Sequence, residues 1–193
     1  MNLTKILTIV FVVISIGLAY FLVDSIRTDI NEERRIATIE ANIIEKLKMI
    51  RDAQVAYQAV NGNYTSDWDK LINFVDTGKI YITQRREHII TLDYGADSVV
   101  VSIDTLGSVN VIDSLFSSEK YPNFQLERLP YIPGNETKKF DIFADEINKG
   151  GVNVDVFEVK DPEPVNPARL KKNSRGPLRV GSRTEVTTAG NWE

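Results

Sequence analysis

An uncharged run near the start constrains this chain more than any other feature. Residues Ile6–Val23 (ILTIVFVVISIGLAYFLV) form 18 consecutive residues without a charge, bounded by Lys5 and Asp24. As a helix the run measures about 27 Å, close to the hydrocarbon thickness of a bilayer. A helix is also the one single-segment structure that satisfies every backbone group in lipid. Tyr20 and Phe21 suit the interface on the Asp24 side. The competing reading is a cleaved signal peptide. Its apolar region would be unusually long, and Gly17-Leu18-Ala19 is a poor cleavage site inside the run. A retained anchor is therefore expected. Basic residues alone (Lys5 before; Arg27, Arg34 and Arg35 after) place the C-terminal side in the cytoplasm. The short basic flank of a signal-anchor places it outside, and an inner-membrane protein with an extracytoplasmic main domain is the expectation adopted.

The helical pattern continues past the anchor in another style. Ile36, Ile39, Ile43, Lys46, Ile50, Ala53, Tyr57 and Val60 alternate spacings of three and four, with Ile44 and Leu47 widening the stripe. The predicted rod thus runs Ile6–Val60, and its Ser25–Val60 part would be about 54 Å long. The stripe either packs on its own domain or, through Ile36, Ile39, Ile43 and Ile50, forms a coiled-coil seam with a protein partner, a homodimer included. Asn61-Gly62 ends the helix, because both tolerate a left-handed cap.

The remainder reads as an αβ head over 61–160. A short helix follows Thr65 or Ser66 as cap, with Trp68, Leu71, Ile72 and Val75 on its apolar face. Ile80–Ile82 and His88–Asp93 read as separate strands. Ser98–Asp104 and Val109–Ile112 read as a hairpin across Asp104-Thr105-Leu106-Gly107. A second hairpin joins Phe140–Ala144 to Val152–Lys160 across Asn148-Lys149-Gly150-Gly151. Five or six mostly antiparallel strands, packed on the end of the long helix, make the expected fold class α+β.

Three prolines, Pro162, Pro164 and Pro167, then mark 161–193 as a stiff linker and a tail. From Val165 on, six basic residues against two acidic ones leave the tail at +4 and the preceding part at −8, within a total of −4. The tail is either a solvated end or a peptide that docks on an acidic surface, its own or a partner's. Leu178, Val180 and Trp192 favour docking, since they offer something to bury.

A resemblance can be stated on these residues. Ile43–Val75 (IIEKLKMIRDAQVAYQAVNGNYTSDWDKLINFV) resembles the soluble end of the first helix in type IV pilins and pseudopilins, with an Ala-x-x-x-Tyr-like segment leading to Asn-Gly-x-Tyr. The resemblance implies an N-terminal membrane helix running into an amphipathic half, covered by a β-sheet. The chain departs from that family where the precursor glycine and following Phe-Thr-Leu-x-Glu-like segment would stand: it has Asn2-Leu3-Thr4-Lys5-Ile6, and Ile6–Val23 holds no glutamate. The strands and tail are also similar to uncharacterised single-pass envelope proteins of Bacteroidota.

Chemistry is sparse in the sequence. There is no cysteine and one histidine, His88, so a His/Cys metal site lacks a second ligand of that kind. Asp67 and Asp69 with Asn61 and Asn63 lack the glycine and terminal glutamate of a calcium loop, and helix capping accounts for the aspartates. Gly78-Lys79 has no upstream glycine at phosphate-loop spacing. Asp141, Asp145 and Glu146 read as surface carboxylates, and a net charge of −4 gives no nucleic-acid signature. The expected function is a non-enzymatic, membrane-anchored envelope scaffold without a cofactor or small-molecule substrate. The alternative is a pilin- or pseudopilin-like subunit of a secretion or pilus system.

Overall fold

The computed structural model describes residues 3–91 and 97–193. They divide into two compact units, Met1–Asn42 and Ile43–Glu193. The class is α+β, with one long N-terminal helix and three small antiparallel sheets.

Helix α1 spans Leu3–Asn61, the rod that the apolar run and the three-four stripe predict. In the first unit its apolar surface is bare. Every large apolar side chain described between Leu7 and Val23 is at least 46% exposed. This helix is long and apolar enough to cross a membrane. Further along, Arg35 grips Glu32 at 2.7 Å and holds its carboxyl below the usual range, through the hydrogen bond first and the guanidinium charge second.

In the second unit the same helix carries a core. Ile43, Leu47, Ile50, Ala53 and Gln54 are buried, at the spacing that puts them on one face. Gln54 is a buried amide with both ends satisfied. Its Nε2 donates to Thr65 O at 2.6 Å, and its Oε1 accepts from the Thr65 N–H at 3.2 Å. This pins the turn after α1 back onto the helix. The helix stops where expected: Gly62 has φ +87°, and its N–H donates to Gln58 O at 2.8 Å.

Helix α2, Trp68–Thr77, is capped by Asp67 rather than by Thr65 or Ser66. Asp67 accepts from the N–H groups of Asp69 and Lys70, while the Thr65 hydroxyl accepts from the Asp67 N–H and so sets the cap. Phe74 joins Leu71 and Val75 on the buried face, and Ile72 is only half-buried. Phe74 meets Tyr57 of α1 edge-on at 5.2 Å.

The largest departure from the sequence reading comes next. Lys79–Thr91 is one strand, β1, and Asp97–Asn110 is one strand, β2, paired antiparallel along their length. Asp104-Thr105-Leu106-Gly107 is not a turn. Ile82 pairs with Gly107 and Thr83 with Thr105, so Leu106 is the extra residue of a β-bulge. Asp104, two residues before it, and Gly107, directly after it, look like turn punctuation, but here they mark a kink within a strand. Leu92 and Asp93, assigned to a strand end by sequence, lie outside the described residues.

Beyond the ribbon, Val111–Leu115 form a short helix, α3, tied down by the Val111 N–H donating to Gly78 O at 3.0 Å. Tyr131–Ile132 (β3) and Asn135–Lys139 (β4) make a small hairpin. Asp141–Lys149 (β5) and Val152–Lys160 (β6) make the second predicted hairpin, in register from Asp141↔Lys160 to Lys149↔Val152. Its two-residue turn has φ +61° at Gly150 and +86° at Gly151, the mirror-image turn that matches strand twist and favours glycine at both places.

The described strands number seven rather than five or six: the four expected over 80–112 merge into β1 and β2, while β3, β4 and Arg179–Gly181 (β7) are added. The sheet order β5–β6–β7 makes β6 central. Its consecutive residues Val156, Phe157, Glu158 and Val159 are all buried, so this end of the strand is covered on both faces. Phe157 packs on Tyr64 at 4.6 Å, and Gly181 (φ +75°) lies so close to Phe157 O that a Cβ would sit 2.2 Å away. A side chain at 181 is therefore excluded by conformation and by space.

Candidate interaction surfaces

The C-terminal segment is built into the second unit by three sets of contacts. Backbone bonds come first. Asp161 N donates to Leu178 O at 2.9 Å, β7 pairs with β6, and Gly181 N donates to Ala189 O at 3.0 Å. Asn191 then closes the end. Its Nδ2 donates to Pro177 O and Arg175 O at 2.7 and 2.9 Å, and its Oδ1 accepts from the Arg179 N–H at 3.1 Å. Charges complete the attachment. Glu158 is a buried carboxylate that accepts from Arg179 Nη1 and Arg183 Nε, each at 2.8 Å. Arg183 continues to Asp141 at 3.2 Å and lies over the Phe143 ring at 4.6 Å, and Lys160 reaches the same Asp141 oxygen at 3.1 Å. Arg51 of α1 meets Glu193 at 3.2 Å.

This arrangement decides where the sequence-predicted contact residues stand. Leu178 and Val180 are buried, at 1% and 0% exposure, inside the chain's own sheet. Their side chains are used internally and present no surface to a partner, because β7 pairs on the edge of β6. Trp192 is half-buried against Gly190. Ile43 and Ile50 are buried in the second unit and unavailable for a coiled-coil seam. Ile36 and Ile39 are half-exposed in the first unit and keep that possibility.

A pocket of about 340 Å³ opens beside the buried stripe, lined by Lys46, Glu127, Arg128, Tyr131, Ile132, Pro133 and Gly134. Lys46 is the polar member of the stripe, and its Nζ donates to Arg128 O. Burial pushes its ammonium pKa down, and the Arg128 charge adds to the effect. Burial also raises the Tyr64 phenol, with the Asp155 charge contributing. The pocket gathers no acid-base pair around a nucleophile. Among the described residues no three His, Cys, Asp or Glu side chains are grouped to hold a metal. His88 is exposed on β1, opposite Val100. Asp141 is engaged by Lys160 and Arg183, as above.

One surface escaped the sequence reading. The ribbon of β1 and β2 is exposed at every residue from Tyr81 to Ile90. On it Ile89, Val99, Val101 and Ile103 are open to solvent, at 68%, 55%, 43% and 66%. Their alternation was visible in Ser98–Asp104, but the pairing that gathers them on one face was not. Comparison of the chain with family models, with curated proteins and with solved structures found no match.

Proposed function

We propose that the chain is a non-enzymatic, single-pass membrane protein of the cell envelope, acting as a structural or scaffold subunit. The observation that carries this reading is the contrast within one helix. The first unit leaves a dozen large apolar side chains bare, from Leu7 to Val23, whereas the second buries Ile43, Leu47 and Ile50. Apolar surface on that scale is stable in lipid and costly in water. Ile6–Val23 holds the chain in the inner membrane, and the second unit contacts protein partners on the extracytoplasmic side. No cofactor, nucleic acid or small-molecule substrate enters this role.

The second reading is a pilin- or pseudopilin-like subunit. It is favoured by the order of elements, a long N-terminal helix followed by small antiparallel sheets. The mature N-terminus separates the two. Mass spectrometry of the protein extracted from membranes is expected to find the chain beginning at its translational start, with Lys5 and Ile6 still joined to it. Cleavage just before the apolar run would replace the scaffold reading with the pilin-like one.

A further inference from the structure

The β1–β2 ribbon is a two-stranded sheet with both faces in solvent, an arrangement that is marginal when nothing covers it. Cross-strand partners share a face, and the register places Arg85 with Ile103, Glu87 with Val101 and Ile89 with Val99 on one side. Four exposed β-branched side chains thus surround a single ion pair, Arg85–Glu87 at 2.8 Å. The charges of the other face are paired too, Arg86 with Asp104 at 3.7 Å.

We propose that this face is a self-association surface whose occupant is the same face of a second copy of the chain. The charge order supports it. Let a two-fold axis lie between the stacked ribbons, perpendicular to the strands, at the level of Arg86 and Ser102. Arg85 of one copy then lies over Glu87 of the other, and Glu87 over Arg85. Val101 lies over Ile103, and Ile89 and Val99 lie over Thr83 and Thr105. Every apolar side chain meets an apolar group or a threonine methyl, and each charge meets its opposite. The two copies bury the patch as the inner faces of a small sheet sandwich. A lipid surface would instead have to take up Arg85 and Glu87 from the middle of the patch. The ribbon's balanced charges give a strongly charged partner nothing to seek. Four side chains and an ion pair make a small interface, at the weak and reversible end of the range.

The chain has no cysteine, so single-cysteine variants report cleanly. Full-length Val101→Cys and Ile103→Cys chains, co-expressed with different tags, are treated in intact cells with a short bis-maleimide. A mixed-tag covalent dimer is expected, well above the background given by Val100→Cys chains, whose cysteine is on the opposite face. Arg85→Glu in both chains, or Glu87→Arg in both, opposes like charges and is expected to cut the yield about tenfold. Arg85→Glu in one chain and Glu87→Arg in the other restores complementarity between copies, although neither chain regains its internal pair. The yield is then expected to return. The proposal is overturned if the native charges give no cross-link above background, or if the mixed pair stays as low as the like-charged ones. A fluorophore on Val101→Cys that shifts to the blue on neutral phosphatidylcholine vesicles, with no cross-link in cells, would make the face a lipid surface instead.

Discussion

Deleting residues 178–193 is expected to abolish cooperative folding of the Ile43–Glu193 unit. The deletion removes β7 and the fully buried Leu178 and Val180. Each such side chain contributes about 1.5–3 kcal/mol by burial. It also strips both arginines from Glu158 and turns the central strand β6 into a bare edge. The backbone bonds of 178–191 to Asp161 and β6 go as well, each contributing about 0.5–1.5 kcal/mol. Together these effects reach the whole stability of an ordinary domain, about 5–15 kcal/mol. Circular dichroism of the detergent-solubilised protein should show no thermal transition for the head, and limited proteolysis should degrade it. A deletion variant that melts like the full chain would return the segment to the status of an appended tail.

Ile43→Asp and Ile39→Asp are expected to part company, although both residues sit on one predicted stripe. Ile43 is 1% exposed in the second unit, and Ile39 is half-exposed in the first. A carboxylate at 43 is buried without a partner, at a cost of about 4 kcal/mol or more. A carboxylate at 39 stays wet and should change head stability by about 1 kcal/mol or less. Urea titration followed by fluorescence of Trp68 and Trp192 reads both. The Ile43 variant should be unfolded at low urea, and the Ile39 variant should keep the native midpoint. Equal midpoints would mean that the head does not use the stripe as described. If Ile39→Asp removes a cross-link between chains while the head stays folded, the remaining exposed part of the stripe is a helix–helix contact.

The local features of this fold were legible because each rests on a few neighbouring residues. The uncharged run and the three-four stripe specify α1, and Gly62 its end. Gly150-Gly151 between two alternating segments specifies the β5–β6 hairpin. The misread features depend on residues far apart in the chain. Thr83–Glu87 is polar and looked like a gap between strands, yet backbone pairing with β2 carries it through as strand. Leu106 looked like part of a turn because a bulge and a turn use similar residues. The tail is the clearest case. Its +4 charge stands against an acidic remainder, and Arg179 and Arg183 reach Glu158. Three residues of strand are too short to show a period, so β7 and the burial of Leu178 and Val180 were invisible. The ribbon face needed the register, which sequence alone does not give.

Membrane attachment through Ile6–Val23 is the central claim, and alkaline carbonate extraction tests it directly. Membranes from cells expressing the full chain are washed at high pH, which strips peripheral proteins and leaves spanning helices in the bilayer. Full-length protein is expected in the pellet. Replacing Phe11, Ile14 and Leu18 by Asp should release it, since charges at the centre of a span are costly. Full-length unmodified protein in the carbonate supernatant would contradict the anchor and, with it, the envelope-scaffold reading.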